Sequence, residues 1–175
     1  MSHSADLSNE MISQIALNLS SINIEFRKLA FSELTKIFSK IESTFYSKVS
    51  AGLFYYYWFS DGPENQSADR KSIVSLLDHL NDEQQLPWIS AFIESIMKLW
   101  ETIDHIRIDK YLSLIKECTF AIYTRFNGAE SWKQNWANWN SFMSSVVIFD
   151  SLCSFIRCQF CARVAFPDSK DTPEI

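Results

Sequence analysis

Four cysteines, Cys118, Cys153, Cys158 and Cys161, and three histidines, His3, His79 and His105, are the side chains best suited to metal or nucleophilic chemistry. Cys158-Gln159-Phe160-Cys161 has the spacing of half a zinc site, and a structural zinc would need two more ligands at comparable spacing. Cys118 and the histidines lie far off in the chain, so no metal is assigned. On a helix Cys158 and Cys161 are i, i+3 neighbours, and free cysteine is among the most buried residue types, so these read as core thiols. The opening MSHSADLSNE lacks the basic and apolar segments of a secretory signal, and reduced intracellular thiols are therefore expected. No GxSxG, HExxH, GxxxxGK[ST] or GxGxxG occurs, and no catalytic residue or cofactor is assigned.

Two other constellations stand out. In Trp100-Glu101-Thr102-Ile103-Asp104-His105-Ile106-Arg107-Ile108-Asp109-Lys110-Tyr111, the charges Asp104, Arg107 and Lys110 fall at i, i+3 and i+6, with Tyr111 in reach of Arg107. One reading is structural: Asp104 caps a helix start, and a ladder of charge faces a neighbouring helix. The other is a surface that holds a partner. Trp132, Trp136 and Trp139, continued by Met143 and Val146, form one helical stripe. Core packing, a protein-docking patch and a base-stacking platform would each use such a stripe. Stacking bases would leave phosphates without partners, because only Lys133 lies close by.

The elements that must position these residues are helices. Only 3 Gly and 4 Pro occur in 175 residues, where the two together average about 12%. Hairpins and tight turns therefore have little support, while 47% apolar and 15% aromatic residues can fill a core. The net charge of −5 argues against general polyanion binding. No stretch has the roughly 20 apolar residues of a membrane span.

Spacings of three and four predict helices from about Asp6 to Leu19, with Leu7, Met11, Ile15 and Leu19 on one face, and then over Phe26, Leu29, Ala30, Leu34, Ile37, Phe38 and Ile41, capped by Asn23. A nearly all-apolar helix from about Phe45 to Phe59 belongs in the middle of the domain. Helices follow from Ser67, from Pro87, from about Asp104 to Asn127, and from Glu130 to Val164. The result is an all-α chain of antiparallel helix pairs stacked as a HEAT- or armadillo-like solenoid, with a compact bundle as the alternative. One domain over 1–166 is expected, followed by a disordered acidic tail over 167–175.

Leu53-Phe54-Tyr55-Tyr56-Tyr57-Trp58-Phe59-Ser60-Asp61-Gly62-Pro63, with Gln66 after it, and the Trp100–Tyr111 stretch, about 40 residues on, together resemble two ordered motifs of the Nop52 (ribosomal RNA processing protein 1) family. The resemblance covers roughly residues 10 to 165. It implies a non-catalytic helical scaffold of the nucleolus and nucleus. Such a scaffold would act in pre-rRNA processing and in assembly of the precursor of the large (60S) ribosomal subunit. Its partners would be proteins of the pre-60S particle, with pre-rRNA reached indirectly and no membrane involved. Gly62 stands where the family carries Lys, and the chain ends in an acidic segment where many relatives carry a long basic extension. Partner-binding is expected of Trp58, Ser60, Asp61, Gln66, Trp100, Asp104, Arg107, Asp109, Lys110 and Tyr111. A generic HEAT-like protein-binding adaptor without a ribosomal role is the other reading.

Overall fold

The computed structural model describes residues 8–127. The tryptophan stripe, Cys153, Cys158 and Cys161, the last expected helix and the acidic tail lie outside the described residues. The described chain is all-α, with six α-helices and no strand. The helices are α1 (Asn9–Leu19), α2 (Ile24–Ile37), α3 (Tyr46–Trp58), α4 (Pro63–Ser75), α5 (Asp82–Lys98) and α6 (Ile108–Asn127).

Their starts follow from capping. Ser8 accepts from the Met11 amide at 3.1 Å and Asn23 from the Glu25 amide at 2.9 Å, each satisfying a donor the first helical turn leaves open. Asn81 and Gln84 cap each other reciprocally, so α5 begins at Asp82, five residues before the expected start at Pro87. Pro87 lies inside that helix and removes one interior amide donor. Helix α4 likewise starts earlier than the apolar spacing predicts. Gly62 takes a positive φ of 82° and Pro63 fills the first helical position, where its missing N–H costs nothing.

Helix α3 is the centre, packing against α1 on one side and α5 on the other. Val49, Leu53, Phe54 and Tyr57 lose all contact with solvent. The seam with α1 is close because Gly52 has no side chain, and a Cβ there would stand 2.9 Å from the Ala16 carbonyl oxygen. On the α5 side Trp88 meets Phe38 and Tyr46 edge-on, with ring centroids 4.7 and 5.4 Å away. Helix α6 is tied to α4 by Arg70 and Glu117 at 2.5 Å, and to the short helical turn Leu76–His79 by the pair Arg125 and Asp78. The helices up to Arg125 form one compact unit.

Three inward assignments fail. Phe26 and Leu29 are each 57% exposed, because Arg27, Ala30 and Leu34 take the core register of α2. Met11 is exposed as well, since α1 packs through Ile12, Ile15, Ala16 and Leu19. Cys118 is fully buried, and that burial pushes its thiol well above the ordinary range.

Gly52→Ala sets a helix-propensity gain of about 1 kcal/mol against overpacking of about 1–3 kcal/mol. The near contact is rigid backbone, so overpacking wins and the urea midpoint falls. A midpoint that rises would show that α1 yields.

Candidate functional site

Two stretches some 50 residues apart meet at the C-terminal end of α3. The last carbonyls of any helix lack intrahelical partners. Here the Lys110 ammonium, from the first turn of α6, donates to the Trp58 carbonyl at 3.0 Å and to the Ser60 carbonyl at 2.8 Å. A cation at a helix C-terminus also meets the negative end of its dipole. The same ammonium lies 5.1 Å from the centre of the Tyr57 ring, whose hydroxyl donates back to the Lys110 carbonyl at 3.3 Å. Burial pushes the Lys110 amine down to about 8. The Asp61, Asp69 and Asp104 carboxylates favour its charge, and Arg107 opposes it.

Tyr111 is fully buried between Phe54, stacked at 4.8 Å, and Tyr57, edge-on at 5.5 Å, and its hydroxyl donates to the Phe54 carbonyl at 2.9 Å. Burial raises its pKa far above the phenolic norm.

Outside this sealed pair sits a half-exposed layer. Asp104 Oδ1 accepts from the amides of Ile106 and Arg107, shaping the turn that leads into α6, so the helix starts at Ile108 and not at Asp104. Its other oxygen pairs with the Arg107 guanidinium, which lies 4.5 Å over the Trp58 ring. Partial loss of water pushes the Asp104 carboxyl up, but the bonds and charge of Arg107 outweigh it and hold it below the usual range.

The ten expected partner residues therefore divide. Lys110, Tyr111 and Ser60 are buried, so their side chains serve the chain's own packing. The Ser60 hydroxyl has no hydrogen-bond partner among the described residues. Trp58, Asp104 and Arg107 form the layer above them, with Asp61 exposed at the loop. Gln66 lies one turn into α4, Trp100 begins the short helical turn after α5, and Asp109 is exposed in the first turn of α6.

One further cation belongs with these. Arg27 is buried, donates to the Ser21 and Ile22 carbonyls at 2.8 Å each, and lies 5.1 Å over the Phe59 ring. Its signal in the sequence is an arginine in register with Ala30, Leu34 and Phe38, where a charge between apolar positions ordinarily faces solvent.

This is an all-helical domain in which motif residues lock α3 to α6 and leave an aromatic and charged surface above the lock. Residues 10–154 match the family described as nucleolar protein, Nop52, and the chain belongs to that family. It is also similar to ribosomal RNA processing protein 1 homolog A of Mus musculus, at 33% identity over 70 residues, and to homolog B of Homo sapiens, at 34% over 70 residues. Each alignment takes in 39% of this chain, but only 14% and 9% of those relatives' own lengths.

Lys110→Met strands two carbonyls and is expected to cost about 2–4 kcal/mol of unfolding free energy. Tyr111→Phe, which loses one hydrogen bond, is expected to cost about 1 kcal/mol. Urea denaturation of both variants checks the lock, and a Lys110→Met chain as stable as the parent would refute it.

Proposed function

We propose that the chain is a non-catalytic helical scaffold that acts in ribosomal RNA processing and in assembly of the large ribosomal subunit precursor, in the nucleolus. Family membership over residues 10–154 carries this reading. The site supports the scaffold part of it. Its cations are already engaged, Lys110 by backbone carbonyls and Arg107 by Asp104. Asp104 in turn is spent on Arg107 and on two amides. What the surface offers instead is shape and aromatic area around Trp58. Helices α1, α3 and α5, packed in series with α2 against α1, fit a stacked scaffold of the HEAT kind. Partners are proteins of the precursor particle, and pre-rRNA is reached through them.

Tyr55→Ala separates docking from folding, which a Lys110 reversal cannot do, because Lys110 is buried and Tyr55 is exposed. The Tyr55 variant should keep its helical circular dichroism and lose most copurification with large-subunit precursors. Depletion of the protein should lead precursor rRNA to accumulate on northern blots. Normal rRNA processing after depletion would overturn the reading in favour of an adaptor that works elsewhere.

A further inference from the structure

The surface above the lock carries carboxylates in excess of cations, and its cations are already spent. Asp61, Asp69 and Asp104 all lie within electrostatic reach of the Lys110 ammonium, and Glu64 follows in the first turn of α4. Lys110 is consumed by the Trp58 and Ser60 carbonyls, Arg107 by Asp104, and Arg70 by Glu117. Asp69 accepts from the Tyr56 hydroxyl at 2.9 Å. Asp61 and Glu64, by contrast, stand exposed, and neither carboxylate makes an ion pair among the described residues.

Apolar area open to solvent belongs to the same two stretches. Ile106 is 78% exposed and Tyr55 is 38% exposed, and Tyr55 neighbours the half-buried Trp58 at i, i+3 on α3. The buried Ser60 hydroxyl, without a partner, belongs to the loop that joins Trp58 to Asp61.

We infer that this surface docks a basic polypeptide segment, with lysine or arginine stems laid on Tyr55, Trp58 and Ile106 and their charged heads toward Asp61 and Glu64. The inference rests on the proposed docking role and names the partner's chemistry. Aromatic faces attract such cations, and unpaired carboxylates beside apolar area complement them. A phosphate backbone finds the opposite here, since binding it requires free lysine and arginine.

The test uses the whole 175-residue chain and fluorescence anisotropy at low salt. The probes are a labelled peptide of arginine–serine–leucine repeats, its glutamate–serine–leucine counterpart and a labelled single-stranded oligouridylate. The arginine peptide should bind and the other two should not. Asp61→Lys should weaken that binding about tenfold, and Ile106→Ser should weaken it about threefold. Glu42→Lys is the control. It makes the same charge change before the start of α3, roughly 18 Å from the site by the length of that helix, and should leave affinity within about twofold of the parent.

Equal losses from Asp61→Lys and Glu42→Lys would reduce the effect to net charge and overturn the inference. So would failure of the arginine peptide to bind, or oligouridylate binding that depends on Arg107. If those failures occur while the parent chain still copurifies with large-subunit precursors, this inference alone falls and the scaffold role stands.

Discussion

Two buried cations spent on backbone carbonyls hold one region of this molecule together. A charge removed from water costs several kcal/mol unless it is paired or fully hydrogen-bonded, and the orphan carbonyls of a helix end are costly to bury for the converse reason. Lys110 resolves both problems at α3, and Arg27 does the same for the connection between α1 and α2. Each also lies by an aromatic ring, Tyr57 for the lysine and Phe59 for the arginine. Because Tyr57 and Phe59 are two residues apart, the two clamps grip neighbouring parts of one segment. The position of the Trp58–Asp61 stretch, and hence of everything proposed to dock there, depends on them.

The aromatic run of α3 serves two purposes along its length. Phe54 and Tyr57 face inward and build the contact with Tyr111, while Tyr55 and Trp58 face outward. Tyr56 turns to a third side, stacking on Phe31 at 4.9 Å and donating to Asp69. A helix that is apolar all round can therefore be central and still present surface, because its last turn reaches past the helices that cover the rest.

Much of this was legible in the sequence. The scarcity of Gly and Pro and the three-and-four spacing gave an all-helical chain, and Asn23 announced its helix correctly. Asn81 with Gln84 was an overlooked cap, masked by the expectation that Pro87 must begin a helix. The two motifs pointed to the right region, but composition alone cannot tell a charge that faces water from one that seals a helix end. Lys110 and Arg107 have the same sign and sit three residues apart, yet one is buried and the other half-exposed. What separates them is which carbonyls lie opposite, and those belong to a helix some 50 residues away. Phe26 and Leu29 misled for a related reason, since the helix could turn either edge of its apolar arc inward and Arg27 needed the carbonyls on one side.

That separation in sequence has a consequence for the chain as it is made. Residues 58 and 60 leave the synthesising machinery long before residue 110 does, and at about 5–20 residues per second the interval is roughly 3–10 s. Throughout it, the end of α3 has its aromatic run translated but its closing ammonium still missing. The nascent chain thus carries an unsealed, strongly apolar helix for seconds, and it completes its own interior only when the start of α6 arrives.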